Sequence, residues 1–572
     1  MEISNILKSK KTEKVVLGVA VLFCFLVHIV VLRQFTNWYS TDVVGYLSHA
    51  ATFSGRDWSG VMRNATSYYS WGYSVLLTIP MLLTSNITVV YHCAVLFNAL
   101  LCCGILLLCY GIGRRIAPEL NRYAVILCAT AVSVYTSYVF QGAVMLSEIF
   151  LYFFVFVNIY CLLRYIETDK MIWGVLTGLS VGYTYIIHNR AVAVVIAYVM
   201  VAVAWSIKEK SWKKLVVMLA PLLMILLLNV GVNHYLDMHE KQGQAYVANT
   251  YESQVNRITK GIGFYSIISW IKCAIGECWY ALIGSFGIMG IGLYGVIKNA
   301  IKCMKDKNNT IFLHVFLLLM TIGTLMVSIL FLFPRMPVAM DKRYDIYTYG
   351  RYWETVLGIF LLVGFLYCFK TLKNNLLVTI FGISIFLSVV VEYMTRLHQN
   401  NALNYWAVPA VLTTFFEPER KFTVLASSIV GILFMCLLFY WFSQKKKSFV
   451  VAGISVWMCF CIFSGYNAIS GVSGLYKEWA DVINMPTHNA DFNDICRYLD
   501  ENDITEFAVC TGNGYRAVSF QVMNLDADVT GITCAENWVD GKGIYIVDKP
   551  VWEVGSYENI VYENETYLIY IE

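Results

Sequence analysis

The sequence predicts a polytopic α-helical membrane protein of about 11–13 transmembrane helices, ending in a small C-terminal α/β domain. Three observations predict it. Of 572 residues, 58% are hydrophobic and only 14% charged, whereas soluble domains carry roughly a quarter charged. Apolar stretches of spanning length repeat from Val15 to Tyr466. After Asp491 the apolar runs shorten to strand length and are separated by polar turns.

The first apolar run, Val15–Leu32, is about 18 residues long, which is enough to span. No small-residue cleavage site follows it, so it reads as an uncleaved helix rather than a removed signal. Further spans are expected near 87–111, 121–141, 145–164, 171–187, 190–207, 214–232, 277–298, 311–333, 353–370, 375–394, 422–442 and 448–466. Basic residues cluster before the first span (Lys8, Lys10, Lys11, Lys14) and after the second (Arg114, Arg115, Arg122). They recur after the sixth (Lys208, Lys210, Lys213, Lys214), the eighth (Lys302, Lys305, Lys307), the tenth (Lys370, Lys373) and the twelfth (Lys445, Lys446, Lys447). With these spans every cluster falls on one side. Basic loops stay in the cytoplasm, so that side, with the N-terminus, is expected inside.

The long polar segments 34–71, 233–276, 334–352, 395–421 and 467–572 then face outward. The expected division is a transmembrane domain over 1–466, with a first outer loop at 34–71, and an extracytoplasmic domain over 467–572. In the tail, DFNDICRYLDEN places Phe492, Ile495, Cys496 and Leu499 on one helical face. EFAVC, KGIYIVD, ENIVY and TYLIYIE read as short strands.

Composition also excludes some classes. The net charge is only +4 and no basic run interleaves with aromatics, so no nucleic-acid partner is expected. The 17 Cys are scattered, many within apolar spans, and read as small buried hydrophobes. No Cys pair has metal-ligand spacing. The partner implied directly is the lipid bilayer.

The first outer loop carries the strongest chemical signal. In WYSTDVVGYLSHAATFSGRDWSG, Asp42, Tyr46 and His49 fall at helical spacing just beyond the first span. A carboxylate at that boundary can meet a lipid headgroup and serve as general base to an acceptor hydroxyl. The plainer alternative is a solvated loop carboxylate. Tyr68, Tyr69, Trp71 and Tyr73 follow, and suit either an interfacial belt or a platform for sugar rings. Glu148 stands near the outer end of the fourth span, where an ionisable group needs a cavity or a partner. His188 and Arg190 occupy the turn between spans five and six. Arg190 could grip a phosphate bidentately or snorkel to headgroups. Lys342, Arg343 and Arg351 stand outside, against the usual inside bias of positive charge. Such cations could hold a phosphate leaving group.

An Asp just after the first helix, followed by the aromatic–Gly–Tyr run YYSWGYSVLLTIPMLL, resembles the GT-C superfamily of integral-membrane glycosyltransferases. That superfamily includes the protein mannosyltransferases and the lipid A aminoarabinose transferases. The His188-x-Arg190 turn, and Gly350-Arg351-Tyr352 followed by Glu354, resemble stretches of bacterial members. The resemblance implies a GT-C-like fold in a bacterial plasma membrane and a sugar donor on polyprenyl phosphate. It implies Asp42 as catalytic base. Some members follow that Asp with a second acid. Here Val43 and Val44 follow, and Asp57 is the candidate second carboxylate. The donor phosphate would lie among Arg190, Arg343 and Arg351, beside Lys342. Tyr46, His49, Glu148, His188, Tyr352 and Glu354 complete the expected substrate-binding set.

The acceptor is left open between a protein, a glycolipid and an envelope polymer. No resident cofactor is expected, although a divalent cation bridging Asp42, Asp57 and the phosphate stays open, as in oligosaccharyltransferase relatives. Two other readings share these features: a transporter or flippase for a lipid-linked glycan, and a polysaccharide polymerase or ligase using the 233–276 loop with Arg257.

Overall fold

The computed structural model describes residues 10–30, 41–63, 69–240, 246–247, 259, 264–333, 344–370, 372–396, 408–411, 424–444, 446–478, 490–511, 514–532, 543–549 and 559–571. Lys342 and Arg343 lie outside them.

The chain opens with α1 (Lys10–Ile29), then α2 (Thr41–Phe53), which carries Asp42 in its first turn. The short α3 (Ser74–Met81) leads to α4 (Ile87–Ile116). Asn86 caps α4 by accepting from the Thr88 and Val89 N–H groups, and Arg114 and Arg115 lie in its last turn, where the helix dipole favours cations. Next come α5 (Arg122–Ser133) and α6 (Thr136–Gly142), which meet at 53°. They are followed by α7 (Glu148–Thr168), α8 (Met171–Ile187), α9 (Val192–Lys208) and α10 (Trp212–Glu240). After these come α11 (Phe264–Gly284), α12 (Ile288–Lys305) and α13 (Ile311–Leu332). A tight turn over Ile346–Tyr352 bends by 71° into α14 (Glu354–Cys368). The bundle closes with α15 (Asn374–Arg396), α16 (Val424–Ser443) and α17 (Lys447–Glu478).

Among the described residues, ten helices are long and apolar enough to cross a membrane, or twelve if each bent pair is one span. The 17-residue α8 is a further, shorter apolar helix. Their exposed residues are those of lipid-facing surfaces: Leu223, Leu227 and Val230 on α10, and Val378, Phe386 and Val389 on α15. One expected span needs correction. The 277–298 stretch is divided between α11 and α12. Phe286 and Gly287 both take left-handed φ values, +54° and +78°, which end one helix and start another on a new axis. Hydropathy does not register that break, because Ile283 and Ile288 continue the apolar run across it.

The tail builds a five-stranded sheet behind α18 (Ala490–Glu501). Its strands are β3 (Glu506–Cys510), β4 (Asp528–Ile532), β5 (Ile544–Asp548), β6 (Ile560–Glu563) and β7 (Tyr567–Ile571), in the order β4-β3-β5-β7-β6. β3 pairs in parallel with β4 and β5, and β7 runs antiparallel to β5 and β6. The helix and four of the strands lie where the sequence puts them. β4 and its feeder helix α19 (Gly514–Met523) do not follow from the alternation. The tail rests on the loop after α2: the Gly531 N–H donates to Gly60 O at 3.1 Å, and Trp58 Nε1 donates to Leu525 O at 3.2 Å. A two-residue parallel bridge, β1 (Met62–Arg63) with β2 (Tyr246–Val247), ties the same loop to the segment after α10.

Candidate active site

Four charged side chains from four separate parts of the chain meet at one end of the bundle. Glu148 is the first residue of α7 and is fully buried. The helix dipole favours an anion there. Its Oε1 accepts from Arg351 Nε at 2.5 Å and from Arg190 Nη2 at 3.3 Å. Arg351 also donates through Nη1 to Asp42 Oδ2 at 3.0 Å. The guanidiniums of Arg351 and Arg190 are 8% and 4% exposed, whereas the Asp42 side chain is 33% exposed. The cluster therefore runs from a half-open acid, through a buried arginine, to a buried acid and a second arginine. Charges taken this far from water persist only when paired, and here two carboxylates compensate two guanidiniums.

Local structure explains why these residues converge. Tyr46, one turn beyond Asp42, bonds through its hydroxyl to Ser147 Oγ at 2.8 Å, which fixes α2 against the start of α7. Its ring packs edge-on against Tyr69 and Tyr73, with centroids 5.9 and 5.4 Å away. The 69–73 segment then reaches the turn at 188–191. Ser70 Oγ accepts from the Asn189 N–H at 3.1 Å, and the Gly72 N–H donates to Ile186 O at 3.0 Å. His188 caps that turn, its Nδ1 accepting from the Arg190 N–H at 3.3 Å. Arg190 lies over the Tyr352 ring at 5.3 Å. Arg351 itself sits in the elbow just before α14, which holds its side chain at the bundle end.

Of the residues expected from sequence, Asp42, Tyr46, Glu148, His188, Arg190, Arg351 and Tyr352 come together. Three others stand apart from that cluster, and two lie outside the described residues. Asp57 is exposed, and its carboxylate accepts from the Ser59 N–H at 2.8 Å in a local turn. It lies beyond the far end of α2, and a helix of that length carries the chain about 17 Å from Asp42. A divalent ion bridging Asp42 and Asp57 therefore lacks its second carboxylate. His49 is buried, with Nε2 3.1 Å from Tyr69 O, and packs inside the loop. Glu354 is buried and accepts from the Tyr280 hydroxyl rather than from either arginine. Lys342 and Arg343 are outside the described residues. Tyr69, Trp71 and Tyr73 are buried packing elements rather than a belt or an open platform. No group of three or more His, Cys, Asp or Glu converges among the described residues.

Sequence reasoning missed Ser147 and Tyr280. Nothing about Ser147 in QGAVMLSEIF distinguishes it except its position beside Glu148. Tyr280 is hidden in the apolar run CWYALIG.

Three further groups in the cluster are buried without a hydrogen-bond partner among the described residues: Glu148 Oε2, Arg190 Nε and Arg351 Nη2. Buried donors on two guanidiniums, beside a carboxylate open to water, suit a site that handles an anion next to a proton acceptor.

Residues 15–237, from α1 through most of α10, carry a domain matching the family described as dolichyl-phosphate-mannose-protein mannosyltransferase. In fold the chain is similar to ArnT from Cupriavidus metallidurans bound to undecaprenyl phosphate, at 11% identity over 97% of each chain and a TM-score of 0.49. It is similar to the oligosaccharyltransferase AglB from Archaeoglobus fulgidus, in complex with an inhibitory peptide and a dolichol-phosphate, at 10% identity. That match covers 94% of this chain and 70% of the other, with a TM-score of 0.42. The arabinosyltransferase EmbB from Mycobacterium smegmatis matches at 13% identity over 82% of this chain and 42% of its own, with a TM-score of 0.41. No curated protein matches the chain.

Proposed function

We propose that the chain moves a sugar from a polyprenyl-phosphate carrier to an acceptor hydroxyl at the non-cytoplasmic face, with Asp42 as general base. The observation that carries this reading is Arg351, which joins the half-open Asp42 to the buried Glu148. The family match over residues 15–237 supports a lipid-phosphate sugar as donor. The distribution of basic clusters supports the outward orientation of this end.

In the reaction the acceptor oxygen forms a bond to the anomeric carbon while its proton passes to Asp42. The bond from that carbon to the phosphate oxygen breaks, and the electron pair leaves with the lipid phosphate. The N–H groups of Arg351 and Arg190 that have no partner among the described residues donate to the phosphate oxygens, so the growing charge is met by groups already in place. Phosphate stabilised in this way leaves without a dedicated acid. Glu148 keeps both guanidiniums fixed while the donor comes and goes, and Tyr352 supports Arg190 from one side.

The test is turnover of purified protein with a labelled polyprenyl-phosphate mannose. Asp42→Asn is expected to lose activity by at least about a hundredfold with donor binding nearly unchanged. Retained turnover in that variant would overturn the role of Asp42. Arg351→Ala is expected to weaken donor binding as well as turnover, and unchanged donor affinity would remove it from the phosphate site.

A further inference from the structure

The elbow that carries Arg351 is held by a second set of contacts on the side away from Glu148. They come from one face of α11, where Gly276, Tyr280 and Gly284 recur at four-residue spacing. A Cβ at Gly276 would stand 1.7 Å from Tyr347 O, so the helix backbone touches the backbone of the elbow directly. A Cβ at Gly350 would stand 1.9 Å from the Tyr280 ring, so that ring fills the space beside the residue preceding Arg351. A Cβ at Gly284 would meet the Ala410 Cβ at 2.8 Å. The Tyr280 hydroxyl makes two bonds across this seam. It donates to the buried carboxylate of Glu354, one turn beyond Arg351, and accepts from the Ala410 N–H at 3.1 Å. Ala410 belongs to the short turn Pro409–Val411, between α15 and α16. One phenol thus hydrogen-bonds to both of the pieces that pack on α11: the first turn of α14 beyond the arginine elbow, and the 409–411 turn.

We infer that Tyr280 is a positioning residue for Arg351, and that through it the 409–411 turn sets how firmly the arginine elbow is held for the donor phosphate. The physical reason lies in where Arg351 is bonded. Among the described residues Arg351 bonds to two acids on other elements, and both bonds would have to adjust when a phosphate takes up the guanidinium. The backbone beneath it must then be fixed from elsewhere. The Tyr280 ring wedged against Gly350 fixes it sterically. The hydroxyl ties down the first turn of α14 through its bond to the buried Glu354. A shift of the 409–411 turn, such as acceptor binding on that side could impose, would pull on the same hydroxyl. Tyr280 is therefore not a catalytic residue: it touches neither Asp42 nor the guanidinium.

This inference rests on the polyprenyl-phosphate reading for its functional consequence, so the test has two independent readouts on full-length protein. Tyr280→Phe keeps the ring against Gly350 and removes only the hydroxyl. The first readout is amide hydrogen exchange without any ligand. Faster exchange is expected both in 346–354 and in 408–411, with the Asp42 helix unchanged. Unchanged exchange in either segment would overturn the coupling, whatever the donor proves to be. The second is binding of undecaprenyl phosphate. Tyr280→Phe is expected to raise the dissociation constant about tenfold, as suits loss of one hydrogen bond to a buried charged group. Glu354→Gln, which still offers an amide oxygen to the phenol, is expected to stay near wild type, whereas Glu354→Leu should weaken binding by less than Tyr280→Phe, which also frees the Ala410 N–H. Combining Tyr280→Phe with Glu354→Leu should add little to Tyr280→Phe alone, because the two share the Tyr280–Glu354 bond. Full additivity would overturn the pairing. Failure of the wild-type protein to bind undecaprenyl phosphate would refute the donor assignment, while the exchange result would still decide the role of Tyr280.

Discussion

At the scale of single residues, Glu148 shows how much one buried acid can organise. It has no access to water, yet two guanidiniums from distant parts of the chain close on it. Glu148→Leu is expected to destabilise the protein by about 3–5 kcal/mol, since it leaves the two buried guanidiniums with only the half-open Asp42 to compensate them. Glu148→Gln keeps hydrogen-bond acceptance and should lose less. Thermal unfolding of the two variants in detergent would rank them, and equal losses would show that charge compensation is not what Glu148 supplies. Much of this cluster was legible beforehand. Asp42, Glu148, Arg190 and Arg351 are ionisable groups beside apolar spans, and such residues need a partner. Asp57 misled because loop membership says nothing of the distance a helix such as α2 puts between two acids. Tyr280 was illegible because an aromatic in an apolar helix reads as lipid-facing or core packing until its hydroxyl finds Glu354.

At the scale of elements, packing between helices turns on backbone approach. Gly292 on α12 lies so close to α14 that a Cβ there would come within 1.9 Å of Phe360 O. In a membrane, where lipid tails solvate apolar side chains as well as other helices do, such close contact is a main source of helix association. Gly292→Ala is expected to lower stability by about 1–3 kcal/mol through overpacking, read as a fall in unfolding temperature. An unchanged temperature would mean that the two helices separate without penalty. α14 carries the arginine elbow at its head, so the same substitution should also lower turnover. Span length and apolarity were readable for most of the bundle, because one helix crosses with each run of about 20 apolar residues. The α11–α12 break was not, since it depends on two left-handed residues within an unbroken apolar run. In the tail, β4 escaped notice because DVTGI is short and its central Thr and Gly interrupt the apolar pattern.

At the scale of the whole molecule, the C-terminal sheet domain fastens onto the loop after α2. Arg56 reaches four partners: Asp526 at 2.5 Å, Met81 O at 2.5 Å, Ser54 Oγ at 2.9 Å and Thr84 O at 3.4 Å. Partial burial pushes the Asp526 carboxyl up, but the Ser85 hydroxyl and Arg56 outweigh it and hold it below the usual carboxylate value. A carboxyl depressed in this way contributes to docking above the ordinary pKa of about 4 and ceases to contribute as pH falls through its lowered value. Acidification is therefore expected to loosen the tail, seen as faster hydrogen exchange at 525–532. Asp526→Asn should remove that pH dependence; a response that persists in the variant would assign it to another group. Arg56→Asp and Asp526→Arg should each loosen the tail, and the two together should restore part of the contact. The docking has a further consequence for the life of the molecule. Arg56 and Asp526 are 470 positions apart, and ribosomes add about 5–20 residues per second. For roughly 25 to 90 seconds after the Asp42 loop leaves the ribosome, its fastening does not yet exist. A newborn copy passes through a juvenile period, and a chain truncated before Asp526 would lack this fastening for good.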